Sequence, residues 1–243
     1  MRDSIRLLFT TNRPLLHSGR TLTLGIHGDL GRFLDETVRL GQVTLETGSG
    51  LSTMVLLGAG VSRHIVITPA ADEVAAIQAA CAERGIPTQA LEPVLEPSQV
   101  YLPRANLPPL DLVLIDGEHA FPTPFIDWYY TAECLRIGGW MVVDDTQLVT
   151  GRILADFMQV DPKWREAIRH PSGRFAVYQK LTHPIHDSEW MDQPYVQDSC
   201  PVGSIRIKRD RVPGPIERRF TRVLPWRLVQ QPLRAWFNWP RAE

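Results

Sequence analysis

Three aspartates and a histidine define the chemistry this sequence offers first. Asp116 closes the apolar run LDLVLID (Leu110–Asp116), His119 follows three residues on, and Asp144 and Asp145 close a second run, GWMVVDD (Gly139–Asp145). If these runs are neighbouring strands, the three carboxylates meet at one edge. Uncompensated anions at an apolar edge repel one another and push their pKa values up, and a divalent cation resolves the conflict. The oxygen-only set Asp116, Asp144 and Asp145 favours magnesium, calcium or manganese over zinc, and magnesium leaves positions open for substrate oxygens. His119 carries an imidazole, whose ordinary pKa of about 6.5 suits it to take a proton from a hydroxyl. Each residue also has a plainer reading. Asp145 is a good N-cap for a following helix, Asp144 an acceptor of backbone N–H groups, and His119 a loop histidine beside them.

A glycine turn is the second feature. Glu46-Thr47-Gly48-Ser49-Gly50-Leu51-Ser52-Thr53 joins a β-branched run to an apolar helical run. Two glycines there let backbone approach a ligand closely, at a helix N-terminus that favours polar groups. A dinucleotide fingerprint needs a third glycine where Thr53 stands, which argues against a nicotinamide cofactor. Glu46 repels a pyrophosphate and suits a ligand that carries an ammonium and a sulfonium. No Gly-Lys-Ser/Thr follows, so the turn is not a Walker phosphate loop.

The elements that must position these groups alternate. Strands are predicted at Gln42–Thr47, His64–Thr68, Thr88–Val94, Leu110–Asp116 and Gly139–Asp145. Helices are predicted at Asp29–Leu40, with Asp29 as N-cap and Gly41 past its end, and at Leu51–Ala59 and Asp72–Arg84. Two more follow at Thr123–Arg136, capped by Thr123 with Pro124 in first position, and Thr146–Val160. Trp164–His170 and Arg174–Leu181 flank Pro-Ser-Gly and read as a closing hairpin. The fold class is α/β: a doubly wound, mostly parallel seven-stranded sheet with a C-terminal antiparallel hairpin. Such sheets bind ligands at the carboxyl ends of their strands, where every residue named above falls.

Composition supports one sizeable core: 44% of residues are hydrophobic and 22% charged, over 243 residues. Apolar runs such as Met54–Gly60 are too short to span a bilayer, and the N-terminus lacks a secretory h-region. Three scattered cysteines with no CxxC fit a reduced, cytoplasmic protein. The net charge of −1 is uneven: residues 205–243 hold ten basic against three acidic residues. Three domains are expected: a helical lead-in (1–40), the ligand-binding domain (41–182) and a basic tail rich in proline and tryptophan (183–243). Arg218, Arg219, Arg222, Arg227 and Arg234 are interleaved with Trp226, Trp236 and Trp239. That pattern suits a membrane surface or nucleic acid, but Pro225 and Pro232 interrupt any long amphipathic helix. Packing of the tail on the body or on a second subunit, as a homodimer arm, is the favoured expectation. His27 stands in the lead-in with no comparable context.

Residues 42–181 resemble the class I S-adenosylmethionine-dependent methyltransferases. Glu46-x-Gly48-x-Gly50 resembles their first motif, and Ile115-Asp116-Gly117-Glu118-His119 resembles the IDGxH motif of the small-molecule O-methyltransferase branch. The resemblance implies a Rossmann-like methyltransferase sheet, with Glu46, Gly48, Ser49, Gly50 and Thr53 around the methionine part of the cofactor. It places Ser98 near the adenine and Asp116 at the junction of cofactor and acceptor. It implies a divalent metal on Asp116, Asp144 and Asp145, and His119 as the base acting on a catechol or vicinal diol. Where that family ends its second strand with an acid for the ribose, this chain has Ile67-Thr68-Pro69, and Asp72 or Glu73 is the substitute. The branch often has Asp-Asn where this chain has Asp144-Asp145, so this site is more negative. The absent DPPY-type motif argues against amino-group methylation of DNA. The rival readings are a metal-independent enzyme that uses His119, a non-catalytic ligand-binding protein on the same fold, and a nicotinamide-dependent oxidoreductase.

Overall fold

The computed structural model describes residues 9, 16, 25–186, 188–189 and 192–199. The chain divides into two units, Met1–Ser199 and Cys200–Glu243, and all described residues belong to the first. The arginines and tryptophans of the basic tail lie outside the described residues.

The elements are α1 (Gly28–Thr37), β1 (Val43–Thr47), α2 (Leu51–Gly58), β2 (Arg63–Ile67), α3 (Ala71–Glu83) and β3 (Leu91–Val94). The chain continues through α4 (Ser98–Tyr101), β4 (Leu110–Ile115), α5 (Thr123–Ala132), β5 (Leu135–Asp144) and α6 (Val149–Val160). β6 (Trp164–Arg169), β7 (Phe175–Lys180) and α7 (Pro194–Ser199) complete it. The strands form one sheet in the order β3-β2-β1-β4-β5-β7-β6. β7 runs antiparallel to both of its neighbours, and the other pairs are parallel. All seven predicted strands are present.

Strand alternation divides the core. Leu112, Leu114, Val142 and Val177 pack on one face with Leu30 and Leu34 of α1, Met54 of α2 and Ile77 of α3. Val113, Ile115, Met141, Val143 and Tyr178 pack on the other with Ala132 of α5 and with Leu154 and Met158 of α6. Burying each of these large side chains stabilises the fold by about 1.5–3 kcal/mol relative to exposure. The lead-in helix α1 therefore shares the main core. The chain leaves β1 toward β2 and leaves β4 toward β5, so the strand order reverses between β1 and β4. Helices diverge there and open a crevice at the carboxyl edge.

Several boundaries differ from the sequence reading. α1 starts earlier than expected: His27, not Asp29, is its N-cap, with Nδ1 accepting the Asp29 N–H at 3.2 Å. It ends at Thr37, where Val38 turns extended, before Gly41 is reached. The third strand is confined to Leu91–Val94. Thr123 is the first residue of α5 rather than its cap, which is Pro122. α5 stops at Ala132 and β5 begins at Leu135, because Gly138 (φ +83°) and Gly139 bend the strand early instead of breaking it before it starts. A Cβ on Gly139 meets the Asp111 carbonyl at 3.0 Å, and β4 pairs with β5 across a register shift there. α6 begins at Val149 with Leu148 as cap, so Asp145 is not an N-cap. A turn closed by Leu148 N–H to the Asp145 carbonyl (2.9 Å) separates the aspartate from the helix.

Lys180 explains why α5 stops where it does. The side chain is fully buried, and Nζ donates to the carbonyls of Ala132 (2.6 Å) and Leu135 (2.7 Å), with His183 Nε2 at 3.1 Å. These are carbonyls a longer helix would have satisfied internally. Burial lowers its pKa to about 8, against the pull of Glu133. Lys180→Met leaves the carbonyls unpaired, and unfolding in urea is expected to show a loss of about 2–4 kcal/mol. Unchanged stability contradicts this assignment.

Candidate active site

The glycine turn is built from the inside. Glu46, on β1, is fully buried and accepts from Ser52 Oγ and from Thr53 Oγ1 (2.7 Å) at the start of α2. His64 Nε2 stands 3.3 Å from the same carboxylate, and its Nδ1 is held by Thr44 Oγ1 at 2.9 Å. Thr53 Oγ1 also accepts the Gly50 N–H at 3.1 Å. Thr53 thus links the turn to Glu46 in the position where a dinucleotide fold carries glycine. Glu46 fixes the first turn of α2.

Gly48 shows why the turn needs glycine. Its φ is +93°, and an added Cβ falls 2.2 Å from the Asp116 carbonyl oxygen and 3.1 Å from Gly117 Cα. The turn after β1 therefore lies directly on the end of β4. Ser49 Oγ donates to Glu73 Oε2 at 3.1 Å, which brings an acid of α3 to the turn. Asp72, one residue earlier, is exposed.

On the other side of the turn the expected acids converge. Ligand atoms of Asp116, His119 and Asp145 lie within 4.8 Å of one another. Asp145 takes a left-handed backbone (φ +49°) and accepts from Gln147 Nε2 at 2.7 Å. Its other oxygen faces His119 Nε2 at 3.2 Å, and Arg174 stands 3.4 Å away. The His119 contact holds the Asp145 carboxyl below its ordinary pKa, and Asp145 in turn raises the imidazole. Thr150 Oγ1 fixes the loop by donating to the His119 carbonyl. Asp116 is pushed well upward, by burial first and then by Asp144, Glu46 and Asp145. Asp144 is buried, with no partner for Oδ1, and is raised to about 7 by burial and by Asp145. It lies outside the tight group that holds Asp116, His119 and Asp145.

Two groups carry more than the sequence signalled. Arg174, at the start of the last strand, comes to Asp145 from a distant segment that no local motif marks. Asp127, on α5, is buried among the Thr47 and Ser98 hydroxyls, and burial raises it to about 6. Ser98 itself is buried at the start of α4. A separate cavity of about 440 Å³ lies between α5, α6 and the segment around Tyr195, lined by Phe125, Trp128, Tyr129 and Phe157. None of the glycine-turn or carboxylate residues lines it.

The family model described as "Methyltransferase domain" matches residues 45–146, which include the glycine turn, Asp116, His119, Asp144 and Asp145. No curated protein matches the chain in sequence. Among solved structures, it is similar to the O-methyltransferase TomG from Streptomyces achromogenes, involved in tomaymycin synthesis and solved with S-adenosylmethionine. The identity is 17% over 75% of this chain and 91% of that one, with a TM-score of 0.57. An O-methyltransferase from Bacillus cereus in complex with SAH is similar at 12% identity, over 74% of this chain and 92% of that one, with a TM-score of 0.56. A cofactor-bound protein from MTB is similar at 20% identity, over 67% and 84%, with a TM-score of 0.55. The fold is that of a Rossmann-like methyltransferase, and residues 45–146 match the methyltransferase-domain model.

Two predictions follow from this geometry. Gly48→Ala drives a methyl into the Asp116 carbonyl, so S-adenosylmethionine affinity, read by calorimetry, is expected to fall at least about tenfold. Gly41→Ala, at φ +85° but in open space, serves as the control and keeps the affinity. The second concerns pH. The raised Asp127 binds its proton more tightly folded than unfolded, so its contribution to stability is present below about 4 and is lost as pH rises toward about 6. Asp127→Asn removes that loss: relative to wild type, the variant gains on the order of 2 kcal/mol in urea unfolding between pH 4.5 and 7.5. A constant difference across that range contradicts it.

Proposed function

We propose that the protein transfers a methyl group from S-adenosylmethionine to a hydroxyl oxygen of a small acceptor, of catechol or vicinal-diol type. The observation that carries this reading is the His119–Asp145 pair at 3.2 Å, set beside Asp116 at the edge where the glycine turn packs on β4. Gly48, Ser49 and Gly50 present backbone to the methionine part of the cofactor. Glu73, held to the turn by Ser49, is the acid available to the ribose hydroxyls, and Ser98 lies toward the adenine side.

His119 takes the acceptor proton at Nδ1, because its Nε2 is the nitrogen that faces Asp145. Asp145 orients the ring and stabilises the imidazolium that forms, with Arg174 and Gln147 holding the carboxylate in place. Much of the rate comes from aligning the acceptor oxygen with the methyl carbon and sulfur.

A divalent cation suits this edge. The unpartnered Asp144 Oδ1 and the upward shifts of Asp116 and Asp144 mean that ionising these acids creates negative charge that the cations among the described residues do not balance. Asp116 and Asp145, with Asp144 beside them, would hold it, magnesium being the ion an all-carboxylate set favours. When bound, such an ion lowers the pKa of an acceptor hydroxyl and fixes two adjacent oxygens. The alternative is a metal-independent enzyme in which the His119–Asp145 pair acts alone, favoured by the charge that His119 and Arg174 already place on Asp145.

The test is a methyl-transfer assay with catechols and vicinal diols, read by product mass. His119→Asn is expected to lower kcat by about 10²–10⁴-fold while cofactor affinity stays within about threefold. EDTA treatment reversed by magnesium supports the metal-assisted form; a rate indifferent to both supports His119 alone. Absence of S-adenosylmethionine binding sinks either form.

A further inference from the structure

A second cluster lies apart from the carboxylates of β4 and β5, where the segment before α1 meets the β6–β7 hairpin. His27, Asp29 and His170 offer ligand atoms that all lie within 4.8 Å of one another. Asp29 Oδ2 is 3.5 Å from His27 Nδ1 and 3.5 Å from His170 Nε2. The convergence joins the cap of α1 to the hairpin.

We propose that His27, Asp29 and His170 form a binding site for a zinc-type divalent ion that staples the start of α1 to the β6–β7 hairpin. The lone pairs carry the argument. His27 Nδ1 accepts the Asp29 N–H, so that nitrogen is an acceptor and cannot donate to the carboxylate it faces. His170 Nδ1 is engaged by Ser172 Oγ at 2.8 Å, which leaves Nε2 as the atom directed at Asp29. A ligand histidine is oriented in this way by the partner of its other nitrogen. The separations fit too. Ligand atoms in a tetrahedral zinc site with bonds of roughly 2.0–2.2 Å stand roughly 3.3–3.6 Å apart.

The rings are also held. His170 stacks on Phe175 (centroids 5.0 Å, 28°), and the His27 and His170 rings lie 4.5 Å apart. Asp29 Oδ1 faces Arg32 at 3.8 Å, which leaves Oδ2 for the cluster. Two imidazoles and one carboxylate select zinc, cobalt or nickel over magnesium, in contrast to the carboxylate edge. With the His27 and Asp29 side chains 40% and 51% exposed, an ion has an entry path and a fourth position for water. The ion would displace the 3.2 Å capping bond at His27 Nδ1 and take over its task of fixing the helix start.

The test uses the full chain stripped with EDTA and titrated with zinc chloride alone. His119→Ala/Asp145→Asn silences the other cluster. In that background one equivalent is expected to bind, to raise the thermal midpoint, and to give tetrahedral absorption bands when cobalt replaces zinc. Adding His170→Ala or Asp29→Asn is expected to weaken zinc binding at least about tenfold and to abolish the thermal shift, as loss of a metal-site contact does. Asp29→Asn changes an exposed side chain and keeps the test usable if His170→Ala fails to fold. No stoichiometric zinc binding in the silenced background, or affinity unmoved by either substitution, overturns the proposal. Methyl transfer is not the readout, so this result is independent of the assignment of the active site.

Discussion

Where Gly48 meets the Asp116 carbonyl there is no room for a methyl group. That backbone contact seats the turn after β1 on the end of β4, and the rest of the site depends on it. Because the turn lies there, α2 begins directly above the β1–β4 crevice, and its first residues close over Glu46. Because β5 is the next strand beyond β4, Asp144 and Asp145 arrive beside Asp116 without any loop having to carry them. One packing constraint thus sets both halves of the site: the glycine turn on one side, carboxylates and an imidazole on the other.

The electrostatics follow from that crowding. Burial works against ionisation of Asp116 and Asp144, while Asp145 is kept charged by His119 and Gln147. The three carboxylates are therefore not equivalent. Asp145 faces His119 and Arg174, and in the proposed reading it orients the base. Asp116 and Asp144 carry the unbalanced charge, and this is the feature a divalent ion would exploit.

The strands were legible because β-branched and leucine-rich runs between glycine turns leave few alternatives in a doubly wound pattern. Asp116 and His119 were legible because they share one loop, and Asp145 because it ends a strand whose neighbour the topology fixes. Other features depend on contacts between distant segments, which a single chain read locally does not display. Lys180 stops α5 from forty-eight residues away. Arg174 reaches Asp145 only once β7 has inserted beside β5. His27 looked isolated in the lead-in because its partner His170 lies on the far side of the chain. Glu46 is legible as the carboxylate before the glycine turn, but its partner His64 reaches it only when β2 pairs with β1. The ends of α5 and β5 differ from the sequence expectation because Gly138 and Gly139 read as a break and act as a bend within a strand.

The most direct measurement is a crystal structure of the full chain with S-adenosylhomocysteine bound. The account predicts the homocysteine part over Gly48–Gly50, with the sulfur facing the space bounded by Asp116, His119 and Asp145. A cofactor seated in the aromatic cavity between α5 and α6, or one whose sulfur points away from His119, would contradict it.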